Sequence, residues 1–227
     1  MSASLDIFFL DSHTLGYPTT LERVVQVFLG AGFSIEEFEI NNQAVTWEKE
    51  PGSMRRLLTL AHQARDWYFL AWSAEWRLEI RQYLAWGSLK MGRDNRAWIC
   101  TTTDNTPYFW YAEKSPARYS RFYLEIGKQL YEVLRPTFGW IDFDYGLRTT
   151  HEDIEVLELP TLYWANFFGP AYVNKIGRDK ILGAPAWTIE DLADGGLLYV
   201  LASCPGLADD HVPVESVQVH FGIESVR

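Results

Sequence analysis

Apolar residues in TTLERVVQVFLGAG fall at Leu21, Val24, Val25, Phe28 and Leu29. That is the three-and-four spacing of one helical face, and it predicts a helix with Thr19 or Thr20 as N-cap and Gly30 or Gly32 near its end. The unbroken run Leu5 to Leu10 before it reads as a buried strand. Downstream, FSIEEFEI and QAVTWEK alternate as strands on either side of an Asn41-Asn42 turn, until Pro51-Gly52 breaks the pattern. SMRRLLTLAHQA returns to helical spacing, and WYFLAW and EWRLEIRQYL return to strands. In the second of these Trp76, Leu78, Ile80 and Leu84 share one face while Arg77, Glu79 and Arg81 share the other.

Gly87 to Asn95 reads as a connection. After it come strands near AWICTTT and YFWYAE, then the strongest helical pattern in the chain, SPARYSRFYLEIGKQLYEVL. Ser115 supplies its cap, Pro116 suits its first turn, and Tyr119, Phe122, Tyr123, Ile126, Leu130, Val133 and Leu134 form its buried stripe. Pro136 stops it. GWIDFDYG and LYWANFF follow as strands, GPAYVNKIG as a short helix, and AWTIEDL and GLLYVLAS as a hairpin around Asp194-Gly195-Gly196. The element order implies an α+β fold, a mixed or mainly antiparallel sheet with helices packed on it. It is read as one domain over residues 1–227, with βαββαββ halves at 1–90 and 96–205 related as a pseudo-repeat and a C-terminal extension at 206–227.

With 227 residues, 48% of them apolar, the chain can bury a large core. The net charge of −10 argues against sequence-independent binding to nucleic acid or anionic lipid. The charge is uneven: residues 1–50 carry eight acids against two bases, residues 51–100 four against eight, and residues 151–200 eight against three. An acidic patch of that kind attracts a basic partner, and it also serves as a solubilising surface. No stretch approaches the roughly 20 apolar residues that span a bilayer, and no positive charge precedes the first apolar run, so a cytoplasmic protein without membrane contact is expected. Cys100 and Cys204 have neither metal-ligand nor redox-pair spacing.

Candidate chemistry is sparse. Asp142 and Asp144 in WIDFDYG lie two apart on a strand and project from one face with Trp140, and paired carboxylates can hold a hard cation or share acid/base work. With one of the histidines they would make a hydrolase or transferase, the alternative reading. A solvent-facing or partner-facing strand accounts for the same spacing. His151-Glu152-Asp153 and Asp209-Asp210-His211 lack the second histidine of a zinc-binding helix, and His13, His62 and His220 have no activating neighbours in sequence. No nucleophile elbow, activated cysteine or phosphate-cradling glycine loop is present. Neither a metal nor a cofactor is expected. The ten tryptophans and twelve tyrosines are rigid apolar bodies suited to core and interface.

In LYWANFFGPAYVNKIGRDKIL, strict alternation sends Leu162, Trp164, Asn166 and Phe168 to one face and Tyr163, Ala165 and Phe167 to the other. Gly169 is free to take a positive φ, Pro170 starts a helix, and Asn166 is expected to close the Gly169-Pro170 turn. WANFFGPAYVNKIGRDKILGAPAW together with DGGLLYVLA, preceded by YFWYAE and GWIDFDYG, resembles the C-terminal region of immunity proteins encoded beside bacterial polymorphic or type VI secretion toxins. The resemblance covers roughly residues 105–203. It implies a non-enzymatic cytoplasmic protein that binds a cognate toxin, and it carries over no catalytic residue. On this reading the partner-binding face comprises Trp140, Asp142, Asp144, Glu152, Asp153, Glu155 and Glu158, while Trp164, Asn166, Gly169 and Pro170 are structural.

Overall fold

The computed structural model describes residues 5–12, 18–41, 43–45, 56–57, 59–60, 67–73, 77–83, 85–86, 89–90, 97–102, 116–143, 149–205 and 212–223. The strands are β1 (Leu5–Ser12), β2 (Ser34–Ile40), β3 (Gln43–Val45), β4 (Trp67–Trp72), β5 (Arg77–Tyr83), β6 (Ala85–Trp86), β7 (Leu89–Lys90), β8 (Ala97–Thr102), β9 (Pro136–Phe143), β10 (Ala165–Phe168), β11 (Thr188–Asp191) and β12 (Leu197–Val200). The helices are α1 (Pro18–Gly30), α2 (Pro116–Leu134), α3 (His151–Val156), α4 (Pro170–Ile176), α5 (Arg178–Leu182) and α6 (Val214–Phe221). Ten strands form one sheet in the order β11-β12-β10-β9-β1-β8-β5-β4-β2-β3, and β6 with β7 makes a separate ribbon that begins two residues before the expected connection and continues into it. Each of these pairings is antiparallel, so the fold is α+β with a mainly antiparallel sheet.

Side-chain alternation divides the core between the two faces of the sheet. Leu5, Ile7 and Phe9 of β1, Ile141 of β9, Ala165 and Phe167 of β10 and Leu198 of β12 meet α1 and α2 on the first face. Phe8 and Leu10, Phe138 and Trp140, Phe168, and Leu197 and Tyr199 turn to the second face, where α3, α4 and α6 add Ile154, Tyr172, Val173 and Val217. In the other half of the sheet Leu78 and Ile80 of β5 are buried, whereas Arg77 is exposed and Glu79 half-buried, as the amphipathic pattern predicts.

Helix α1 starts at Pro18, ahead of the expected Thr19 or Thr20 cap, and Thr20 is buried. Its far end follows from local chemistry. Gly32 sits at φ 86, so its N–H reaches Leu29 O at 3.1 Å and the Phe33 N–H reaches Phe28 O at 3.0 Å. The Phe33 ring then packs edge-on against Phe28 at 5.9 Å, which is the apolar contact that accompanies such a cap. In α2 the predicted stripe is buried apart from Phe122, which packs half-buried against the first-face core. The Asp194-Gly195-Gly196 hairpin forms as expected. The Tyr131 hydroxyl of α2 donates to the Asp194 carboxylate at 3.0 Å, and Asp194 Oδ1 accepts the Gly196 N–H at 3.0 Å. Lys128 pairs with Glu190 of β11 at 3.1 Å, and Arg178 of α5 pairs with Asp191.

The predicted alternation of LYWANFF breaks at its start. Ala165 and Phe167 occupy the first face as expected, but Trp164 joins them there, its indole N–H donating to Ala202 O at 2.8 Å. The ladder begins only at Ala165 because Asn166 folds back on the preceding residues: its Oδ1 accepts the Tyr163 N–H at 3.0 Å and its Nδ2 donates to Tyr163 O at 2.8 Å. Asn166 therefore does not close the Gly169-Pro170 turn. Gly169 takes φ −65 rather than a positive value and caps α4, with Pro170 at the first turn. Glycine is required there by close approach, since a Cβ would lie 2.5 Å from Pro136 O and 2.7 Å from Thr137 O. The strand expected at YFWYAE, the cap expected at Ser115 and most of SMRRLLTLAHQA lie outside the described residues.

Gly169→Ala is expected to lower stability by about 1–3 kcal/mol, since a methyl is forced against backbone that cannot yield. Gly30→Ala, where the added carbon meets nothing within 4 Å, should be neutral or stabilising by up to about 1 kcal/mol. Urea denaturation of both variants checks the pair, and equal losses would contradict the packing account. A second expectation concerns alkaline pH. Burial, then the Asp194 carboxylate, pushes the Tyr131 phenol far up; burial also raises Tyr199, and burial followed by Asp153 and Glu158 raises Tyr172. The folded chain keeps protons that the unfolded chain releases near about pH 10. Stability is therefore full below that pH and falls as pH rises through it, and Tyr131→Phe should flatten part of the fall. Denaturation curves between about pH 8 and about pH 11 measure this slope, and a wild-type profile with no decline would refute it.

Candidate functional site

The acidic run after β9 is held in place by the second face of the sheet. Trp140 on β9 is 4% exposed and lies between two rings, Phe8 at 4.8 Å and Tyr163 at 4.5 Å, both nearly parallel to it. The Tyr163 hydroxyl shares a 2.8 Å hydrogen bond with Thr149 Oγ1, one residue before the cap of α3. Ile154 of α3 is buried in the same cluster. Trp140 thus supports α3 from beneath instead of facing outward.

Thr150 and Asp153 form a capping box. Asp153 N–H donates to Thr150 Oγ1 at 3.2 Å, and Asp153 Oδ2 accepts the Thr150 N–H at 2.6 Å and its hydroxyl at 2.8 Å. The far end closes with Leu157 at φ 56, the Leu157 N–H reaching Ile154 O at 3.2 Å and the Glu158 N–H reaching Asp153 O at 2.8 Å. With both ends fixed and Ile154 inward, Glu152, Glu155 and Glu158 are exposed, and Val156 beside them is 54% exposed. The Glu158 carbonyl also accepts the Tyr172 hydroxyl of α4 at 2.7 Å. A six-residue helix that would be marginal alone is made rigid by its neighbours.

Asp142 is half-buried on the same face of β9 as Trp140, and both its oxygens are engaged: Oδ1 accepts the Phe143 N–H at 2.8 Å and Oδ2 the Trp164 N–H at 3.1 Å. It ties the end of β9 to the start of β10. Asp144, the other member of the carboxylate pair, lies outside the described residues, as do His13, His62, His211 and the side chain of His151. The one histidine whose side chain is described, His220 on α6, shares a 2.7 Å hydrogen bond with Lys180 O. Among the described residues no group of three or more His, Cys, Asp or Glu side chains could hold a metal ion. Cys204 is a free, buried thiol whose burial pushes its proton affinity up, the opposite of nucleophilic activation. No helix among the described residues is long and apolar enough to cross a membrane.

Sequence reasoning singled out the acidic run but missed its supports, Phe8, Tyr163, Thr149 and Thr150. The capping box had a local signal, Thr150-x-x-Asp153 just ahead of Ile154. The Phe8–Trp140–Tyr163 stack had none, because it joins residues brought together only by strand register.

Neither the scan of protein-family models nor the search of curated proteins finds a match to the chain. Among solved structures it is similar to the Pseudomonas aeruginosa T6SS protein PA0821. The two superpose with a TM-score of 0.57 at 14% identity, over 97% of this chain and 72% of that one. At that identity the likeness shows a shared fold.

Thr150→Ala is expected to cost about 1 kcal/mol by removing a helix cap and to speed amide exchange across residues 151–157 while leaving β9 protected. Hydrogen exchange followed by mass spectrometry reads both, and unchanged protection of α3 would show that the cap does not hold it.

Proposed function

We propose that this chain is an immunity-type protein that binds and neutralises a cognate bacterial toxin through the acidic face of α3. The observation that carries the reading is the arrangement of Glu152 and Glu155, exposed on a helix fixed at both ends, with Glu158 exposed just beyond its C-terminal cap. A rigid negative surface speeds encounter with a basic partner and loses little entropy on binding. The net charge of −10 and the fold shared with a T6SS protein support the same reading, as does the family resemblance of the C-terminal half. Trp140 and Asp153 act from beneath by holding the helix that presents the glutamates, and Asp142 fastens the end of β9 to the start of β10 below them. On this reading the protein works in the cytoplasm as a binder and makes no bonds itself.

The test is co-expression with the product of the neighbouring gene, followed by pull-down and a growth-protection assay. The wild-type chain should be retained and should protect. Glu152→Lys, Glu155→Lys and Glu158→Lys together should slow association by about tenfold or more at low salt and abolish protection without lowering the melting temperature. A triple variant that binds and protects like wild type would move the contact face elsewhere. Failure of the wild-type chain to bind the neighbouring product would overturn the reading.

A further inference from the structure

A cleft of about 450 Å³ opens where the exit of α3, the α4–α5 pair and the end of α6 meet. It is lined by the apolar residues Leu157, Leu159, Pro160, Ile176, Phe221 and Ile223, together with the exposed charged residues Lys175, Lys180 and Glu158. The volume lies in the range of small-ligand and peptide side-chain sites. The walls are fastened to one another. The Tyr172 hydroxyl donates to Glu158 O at 2.7 Å, joining α4 to the exit of α3, and His220 Nε2 meets Lys180 O at 2.7 Å, joining α6 to α5. Phe221 continues inward against Tyr199, edge to face at 5.5 Å. The cleft is therefore present before anything binds, which spares the ordering cost of forming it.

Its charge selects the occupant. Among the described residues neither Lys175 nor Lys180 stands in an ion pair, whereas the cations Lys128 and Arg178 are already engaged by Glu190 and Asp191. Two unengaged ammonium groups among apolar lining residues fit a carboxylate attached to an apolar body, and Glu158 in the same lining disfavours a second acid on the occupant. We propose that this cleft takes a peptide segment of a partner protein, one apolar side chain set among the apolar lining residues and an adjacent acidic side chain held between Lys175 and Lys180. The inference goes beyond the acidic α3 face, and it holds whether or not that face meets a toxin.

The test uses the full chain without any toxin. Acetyl-Leu-Glu-amide is titrated into labelled protein and followed by amide chemical shifts, with acetyl-Leu-Gln-amide, acetyl-Leu-Lys-amide and sodium acetate as controls. Saturable shifts are expected at Lys175, Ile176, Lys180, Phe221 and Ile223 at roughly millimolar peptide. They should weaken at higher salt, and Lys175→Glu with Lys180→Glu should weaken them about tenfold. Both lysines are exposed, so an unchanged melting temperature confirms that the double variant is folded. Four outcomes would overturn the proposal: no saturable shift, equal binding of the glutamine or lysine peptide, the same shifts from acetate alone, or binding that survives the double charge reversal. Shifts that appear on raising protein concentration without peptide would assign the cleft to a second copy of this chain and overturn it as well.

Discussion

Every residue of β9 from Pro136 to Ile141 is buried, so this strand presents side chains to two apolar layers at once. A strand of that kind in an antiparallel sheet needs cover on both sides. Helix α2 supplies it on the first face, where Ile141 and Phe167 meet Leu130 and Tyr131; the segments after β9 supply it on the second, where Phe138 and Trp140 meet Tyr163, Phe168 and Tyr172. The position of the acidic helix follows from this demand. Ile154 and Tyr163 pack into the second-face cluster with the rings of β9, and the glutamates of α3 point outward because its apolar side is turned inward.

The second layer also contains a fully buried polar side chain, Asn166. Across the sheet it stands between Trp140 and Tyr199, in the centre of an aromatic cluster. It is tolerated because its amide is matched to the backbone on both sides, accepting from the N–H and donating to the carbonyl of Tyr163. The amide behaves as a one-residue neighbouring strand. That substitution of side chain for backbone ends the ladder at Ala165 and lets Trp164 cross to the opposite face.

What could be read from the sequence was whatever repeats at short range. The α2 stripe, the β5 alternation and the Asp194-Gly195-Gly196 hairpin depend on residues within a few positions of one another, and each was legible. Asn166 was recognised as needing partners, but the choice between its two flanks turns on register with β9 and β12, which no local pattern encodes. Helix α6, within the stretch read as a C-terminal extension, escapes the local pattern for a different reason. Val214, Val217, Val219 and Phe221 are β-branched or aromatic residues with low helix propensity, and the helix forms because Val217 and Phe221 find the second-face core. At the site, the acidic run was visible as charge. Asp153, one of its members, proved to be committed to the cap, which is a difference in geometry that composition does not carry.

One edge of the sheet is β11, a strand of only four residues. Two of its side chains are carboxylates, and each is drawn into an ion pair with a helix, Glu190 by Lys128 and Asp191 by Arg178. An intruding strand would have to lie alongside those tethered charges and strip water from them over a border too short to repay the loss. That margin of an unusually broad antiparallel ladder is thereby guarded against lateral stacking by tethered charge as well as by its shortness.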